Sequence, residues 1–338
     1  MKLLFVPDPV SPNGEDAFCR EISKRAPARG HSCTTLMVPN GPPAAEAERL
    51  RAANFARGFD AVVVNSLQPA ALLAADAAGA PTALRLIESY AGASAAALAE
   101  VQRLAGRASL ILVPNKHMRE VALSWGLDPA RVRIVAYAYD QIFAQQIALV
   151  TMRAARPSGF GLVTAGVVDE STRPALETVL SAVSRLRLDF HLTVIGDGPS
   201  LPALKSRAES LMLGGRVTFL GDLPYPKKME YLRAARAFIE PSSGQGFPSL
   251  ALHALSEGCP VIGVCAGALS ELIEDGKNGL LFRPGDAAAL AEQIVTLAST
   301  PGLSLKLIAE GVRTVELHSW DATVAATLDA VESLGARK

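Results

Sequence analysis

The sequence predicts an α/β protein made of two doubly wound units, each a parallel sheet covered by helices. Three observations carry this. The chain has 338 residues, too many for one ordinary α/β core and enough for two. Short apolar runs alternate with longer amphipathic ones, as in strand–helix–strand repeats. The alternation is interrupted once, over 140–158, where the chain closes in Arg156-Pro157-Ser158-Gly159, and then it restarts.

In the first half the pattern places strands at 3–6, 34–37, 61–64, 82–87, 110–113 and 132–135. Pro7, Asp8 and Pro9 end the first apolar run, which is too short for the core of a signal peptide. A turn at Ser11-Pro12-Asn13-Gly14 leads to a helix over 15–26 with an acidic first turn, and a second helix covers 118–125. In the second half strands fall at 161–164, 191–195, 217–220, 237–239, 261–264 and 280–282. Helices there cover 174–186, 201–211, 229–235, 249–256 and 287–298. The units expected are 1–150 and 158–320, with a helix over 321–338 packing back on the first.

Composition narrows the function. Hydrophobic residues make up 49% and charged residues 20%, which describes a globular protein. Lys plus Arg equals Asp plus Glu at 33 each, so no overall field favours nucleic acid. Arg20, Lys24, Arg25 and Arg29 gather near the first helix and read as a solvated face. They are also the single feature favouring contact with a membrane surface. No apolar run is long enough to span a bilayer, and a cytoplasmic protein is expected. The four cysteines lack metal-site spacing, so neither a disulfide framework nor a metal is expected; Cys259 and Cys265 read as small core residues. His31 and His318 read as surface or capping groups, Trp125 and Trp320 as packing residues, and Tyr137 and Tyr139 as packing residues or cleft lining.

Ligands of open parallel sheets bind beyond the carboxyl ends of the strands. Three loops of the second half fall there. Gly196-Asp197-Gly198-Pro199 follows a strand, and its glycines suit either a ligand or a tight turn. Pro241-Ser242-Ser243-Gly244-Gln245-Gly246-Phe247-Pro248-Ser249 runs into a helix whose free amides suit a diphosphate. Gly267-Ala268-Leu269-Ser270-Glu271 ends in a carboxylate able to accept sugar or ribose hydroxyls, or simply to solvate a helix.

At these residues the chain resembles the retaining GT-B glycosyltransferases of family 4. VIGDGPSLPAL is similar to the family's VGDGP turn, and RVTFLGDLPYPKKMEYLRAARAFIEPS to its next strand–helix–strand stretch. GFPSLALHALSEGCPVIG and ELIEDGKNGLLFRPGD follow the family pattern, as does Ser319-Trp320-Asp321. The resemblance spans about 191–321 and is looser in MKLLFVPDPVSPNG. It implies two Rossmann-like domains facing each other across a cleft, a nucleotide-sugar donor, and a glycan or lipid-linked acceptor. A hexose would be transferred with retention, without a metal or other cofactor, by a chain with a peripheral membrane or protein partner.

The resemblance also assigns residues. Gly166, Arg173, Gly198, Gly246, Phe247, Ser249, His253 and Glu271 would hold the donor, Gln245 would lie near its sugar, and Asn13 and Gly14 would face the acceptor. Where the family carries two glutamates eight residues apart, this chain has Gln245 and His253. Where it carries an arginine and a lysine against the phosphates, this chain has Val167 and Thr172, with Arg173 the nearest cation. Losing two charge-assisted bonds of about 1.5–3 kcal/mol each weakens an anion site by a factor on the order of 10² to 10⁴. A non-catalytic member of the same fold is the alternative reading. Glu88 sits near the family's usual histidine; it reads as a solvated carboxylate, and as a general base it would make the reaction inverting. No GxGxxG follows the first strand, which argues against a nicotinamide oxidoreductase.

Overall fold

The computed structural model describes residues 1–6, 17–36, 58–65, 79–87, 94–138, 159–242 and 246–335. The strands are β1 (Lys2–Val6), β2 (Ser32–Thr35), β3 (Ala61–Val64), β4 (Thr82–Arg85), β5 (Leu110–Val113) and β6 (Val132–Ile134). They are followed by β7 (Phe160–Ala165), β8 (Phe190–Ile195), β9 (Val217–Phe219), β10 (Ala237–Glu240), β11 (Val261–Val264) and β12 (Leu280–Phe282). The helices are α1 (Ala17–Arg25), α2 (Ala95–Arg107), α3 (Lys116–Ser124), α4 (Arg173–Val183), α5 (Leu201–Ser210) and α6 (Tyr225–Ala234). After them come α7 (Ser249–Ser256), α8 (Leu269–Leu272), α9 (Ala287–Ser299), α10 (Leu303–Glu316) and α11 (Trp320–Gly335).

Two parallel sheets result among the described residues, in the orders β2-β1-β3-β4-β5-β6 and β12-β11-β10-β7-β8-β9. Contacts divide the chain into Met1–Ala138 with His318–Lys338, and Tyr139–Leu317. The linker read at 140–158 lies outside the described residues. Chain order reverses between β1 and β3 in one sheet and between β7 and β10 in the other. Such a reversal opens a crevice between neighbouring loops that leave on opposite faces.

The first sheet shows why its strands are apolar throughout. Leu4, Val6, Val62, Val64, Leu84 and Ile111 pack on one face with α2 and α3. Leu3, Phe5, Ala61, Val63, Ala83 and Leu112 pack on the other with α1 and α11. Alternate residues serve opposite cores, so the run is apolar at every position. Trp125 packs against the first of these cores and Trp320 against the second.

Several boundaries move from the expectation. β2 begins at Ser32 rather than 34, because its backbone pairs with β1 from Lys2 onward. α6 begins at Tyr225 rather than 229, with Pro226 in its first turn where no amide is needed. α2, α8 and α10 were not expected. α2 lies in an alanine-rich run with a weak periodic signal, and α8 is a single turn. α10 does carry a helical spacing, burying Leu307, Ile308, Gly311 and Val315.

The basic stretch near α1 is a part-exposed face, its Arg20, Lys24, Arg25 and Arg29 side chains 35–60% exposed, and its cations are paired. Arg20, Lys24 and Arg25 all bind Glu21. Burial alone would push the Glu21 carboxyl up, but these three bonds outweigh it and leave it at about 2. Arg25 also reaches Asp321 at 2.7 Å, and Arg29 reaches Asp329 at 2.7 Å and Glu332 at 2.9 Å. Arg25 and Arg29 therefore tie the C-terminal helix to α1 and the turn that follows it. His31, read as a surface group, is buried and bonds Glu332 at 2.7 Å. Cys259 is buried as expected, whereas Cys265 is exposed, because it stands one residue past the end of β11.

Candidate functional site

The second unit gathers its loops at the carboxyl ends of β7, β8, β10 and β11. The loop after β7 is locked by its own side chains. The Thr172 hydroxyl donates to the Val167 carbonyl at 2.7 Å, and Asp169 accepts from the Ser171 and Thr172 amides. The Ser171 hydroxyl bond and these amides hold the Asp169 carboxyl below its usual value despite some burial. Thr172 thus closes a turn where the family pattern carries a phosphate-binding cation. Val167 stands on that loop with 56% of its surface exposed.

Arg173 opens α4 and binds Glu170 at 2.9 Å and Glu177 at 3.2 Å. Glu170 in turn accepts the Ser200 hydroxyl at 2.7 Å, linking this loop to the start of α5. The Arg173 charge is therefore matched locally by two carboxylates.

The glycines at 196 and 198 answer a backbone demand. The Gly166 amide donates to Ile195 O and the Val168 amide to Asp197 O, both at 3.0 Å, which pulls the two loops together. A Cβ at Gly196 would overlap the Gly166 carbonyl, and one at Gly198 the Val168 carbonyl. Gly196 and Gly198 also have φ of +143° and +153°, which L side chains rarely adopt. Of the two readings of this turn, loop packing has a direct cause.

The loop after β10 meets α7. Gln245 lies outside the described residues, as do Glu88, Asn13 and Gly14. Gly246 is buried and Phe247 half-buried. Pro248 stands just before the helix as its cap residue, and the Ser249 amide donates back to Phe247 O at 2.8 Å. That amide is already used, so an anion at this end would rely on its neighbours. His253 lies on α7 with its ring edge-on to Tyr225, centroids 5.3 Å apart, and burial pushes it down to about 4. It is therefore a neutral imidazole at physiological pH. Glu271 is exposed in the first turn of α8.

Two features escaped the sequence reading. Glu240, the last residue of β10, is 8% exposed, and burial pushes its carboxyl up to about 7 against the Ser242 amide bond. The signal was visible as an acid at the end of an apolar strand. In the first unit, Arg85 ends β4 and is buried, donating to Asn65 Oδ1 at 2.8 Å. Its guanidinium lies 4.0 Å from the Phe18 ring centroid and 5.5 Å from that of Tyr137. Only the fold brings these four residues to the carboxyl ends of β3, β4 and β6. His318, from the far end of the chain, bonds Tyr137 O at 2.8 Å beside them. Among the described residues no three His, Cys, Asp or Glu side chains are grouped to hold a metal, and no helix is long and apolar enough to cross a membrane.

Residues 159–300 match the family model described as glycosyl transferases group 1. A D-inositol 3-phosphate glycosyltransferase of Acidothermus cellulolyticus is 33% identical over 162 residues, which is 46% of this chain and 36% of that protein. A phosphatidyl-myo-inositol mannosyltransferase of Mycobacterium leprae is 27% identical over 147 residues, covering 43% of this chain and 38% of the relative. This chain thus spans little more than a third of the length of either relative. Among solved structures, Anabaena HepE in complex with UDP and glucose aligns with a TM-score of 0.79 at 17% identity, covering 98% of this chain and 100% of that one. Sucrose-phosphate synthase from Thermosynechococcus elongatus aligns with a TM-score of 0.77 at 17% identity, over 100% of both chains. At that identity the likeness is one of fold. Residues 159–300 are thus similar to the glycosyl transferases group 1 family, and the chain has the GT-B fold of two Rossmann-like units.

Proposed function

We propose that the protein is a glycosyltransferase moving a hexose from a nucleotide-diphosphate sugar to a carbohydrate or lipid-linked acceptor, with retention and without a metal. The observation that carries this is the match of residues 159–300, whose loops converge at the strand-order reversal of the second sheet. Relatives named as inositol phosphate glycosyltransferase and inositol lipid mannosyltransferase, and neighbours bound to UDP and UDP-glucose, support a sugar nucleotide as donor. The bond between the anomeric carbon and the diphosphate breaks, the nucleoside diphosphate leaves, and an acceptor hydroxyl bonds that carbon as it loses its proton.

In this reading Gly246 and Phe247 offer amides to the diphosphate, and Gln245 lies near the sugar. His253 and Glu271 take hydroxyls. Gly166 and Gly198 keep the adjoining loops close, and Arg173 is the nearest cation. Asn13 and Gly14 serve the acceptor. The chain acts in the cytoplasm, with a membrane surface or a second protein as its partner.

A melting panel of nucleoside diphosphates and their sugar esters tests it. A ligand at about 100 times its dissociation constant adds roughly 2.7 kcal/mol, a rise of about 5–10 °C for a unit of this size. A shift with one base, followed by turnover of that donor, is expected, and Glu271→Ala is expected to weaken both. The pairing of Arg173 with Glu170 and Glu177 favours a second reading, a non-catalytic member that binds glycans. A fold that responds to glycans but to no nucleotide selects that alternative.

A further inference from the structure

A cavity of about 470 Å³ opens at the amino-terminal ends of β7 and β8 in the second unit, away from the loops described above. Gly161, the second residue of β7, lines it, and that strand is paired on both sides. Glycine weakens a strand interior, so its presence there has a local cause. Pairing with β8 runs unbroken from Phe160 to Ala165, so no bulge calls for it, and its φ is not in the left-handed region. A Cβ at 161 would meet nothing within 4 Å, so close packing does not call for it either. What the bare backbone does is keep the cavity open. By strand alternation His191 and Thr193 of β8 stand on the same face, and Tyr231, Ala234 and Ala235 at the end of α6 complete the lining.

Two arginines also line this cavity. The strand register sets Arg236 level with Gly161, and Arg216 level with His191. Both arginines are half-buried. Arg216 donates to Leu188 O at 3.0 Å and stacks 3.8 Å from the Phe190 ring centroid, while the Arg236 side chain has no hydrogen bond among the described residues. Neither forms an ion pair there, whereas Arg25, Arg29, Arg173 and Arg233 each meet a carboxylate. Asp189, also on the lining, is exposed and pairs with neither. A guanidinium cannot shed its proton, so two half-buried ones without carboxylates favour an anion beside them. The end of α6 adds the opposite preference. A helix C-terminus presents carbonyl oxygens and a partial negative charge, which accept hydroxyls and repel a bare anion.

We propose that this cavity is a second small-molecule site and that its ligand is a sugar phosphate. The phosphate takes the free donors of Arg236 and those Arg216 has left, over the bare backbone of Gly161. The sugar turns its hydroxyls to Asp189, His191 and the end of α6. The volume lies within the roughly 300–1,000 Å³ of small-ligand sites. Gly161 and Gly166 stand at opposite ends of β7, about 16 Å apart at about 3.3 Å per residue, so this ligand and a donor nucleotide do not compete. The site stands whether or not the donor reading does.

Melting of the full chain with glucose 6-phosphate, mannose 6-phosphate and fructose 6-phosphate tests this, with inorganic phosphate and glucose as separate arms. At about 100 times its dissociation constant, at least one sugar phosphate should raise the melting temperature by about 5–10 °C. Phosphate or glucose at the same concentration should do far less. Arg236→Gln should weaken the response roughly 10- to 100-fold in ligand concentration. Gly161→Val should abolish it while melting at or above the wild-type temperature, because its Cβ has room and a β-branched residue suits a strand. If the valine variant fails to fold, Arg236→Gln decides. No shift with any of the three sugar phosphates overturns the inference. So does an equal shift with inorganic phosphate, or a full response kept by either folded variant. The UDP response is read separately and should be the same in wild type and both variants; its absence from wild type counts against the donor reading and leaves this one standing.

Discussion

At the residue scale, the second unit holds two titratable groups that the fold keeps neutral. Glu240 has a folded value of about 7 against an ordinary 4.5. Its neutral form is the one the fold holds, so its contribution is whole below 4.5 and is lost as pH rises through about 7. The loss is roughly 3 kcal/mol. Glu240→Gln should match wild type near pH 4.5 in urea unfolding and exceed it by a few kcal/mol near pH 8; equal stability at both would mean the acid is not desolvated. His253 has the opposite sign. Its value is lowered from 6.5 to about 4, so its contribution is whole above 6.5 and is lost as pH falls through 4. The glycines answer a different constraint. Gly196→Ala places a Cβ on the Gly166 carbonyl and should cost at least ~2 kcal/mol whether or not a ligand is present. A variant with unchanged stability and weakened nucleotide binding would instead assign that turn to the ligand.

At the element scale, helix packing explains positions that a pattern alone leaves open. Gly311 on α10 is where Leu255 of α7 fits, and a Cβ there would come within 2.9 Å of the Leu255 Cδ2 atom. A leucine at 311 should therefore cost about 1–3 kcal/mol by overpacking, read from the urea midpoint. Glu257 at the end of α7 is buried and its acidity weakened by desolvation, partly offset by Arg233 of α6 at 2.8 Å. Because Arg233 is 41% exposed, Arg233→Ala should cost only about 1–2 kcal/mol, less than for a fully buried pair. α11 buries Val324, Leu328, Val331 and Leu334 on one face of the first sheet. Leu328→Ala should cost ~2–5 kcal/mol, and circular dichroism melting would locate the loss in the first unit.

At the scale of the whole molecule, the first unit is built from both ends of the chain and the second from its middle. Removing 318–338 should expose the face beneath α11, with Phe5, Phe18 and Ile22 on it, and open the first unit to proteolysis. The second unit should keep its nucleotide response, read by the melting shift. The pH dependences of Glu240 and His253 oppose each other between 4.5 and 6.5 and nearly cancel there. Stability of the second unit should thus be flat across that window and fall on either side, a profile that Glu240→Gln steepens on the acid limb and levels on the alkaline one.

Much of this molecule follows from local chemistry that the chain displays residue by residue. Runs such as Ala61–Val64 and Val261–Val264 are apolar at every position because both sheet faces are covered, which yields parallel sheets and the two-unit organisation. Helix α7 is bounded where its periodicity and Pro248 bound it. Tertiary structure decided what depends on desolvation and on partners distant in sequence. Glu240 reads as an ordinary acid until burial raises it, and Arg29 as a solvated cation until Asp329 and Glu332 arrive 300 and more residues later. Gly198 suits a ligand loop or a tight turn alike until Val168 is seen against it. A sequence fixes which groups are present and their local period, while the energy of a charge depends on the water and partners around it, which only the folded chain supplies.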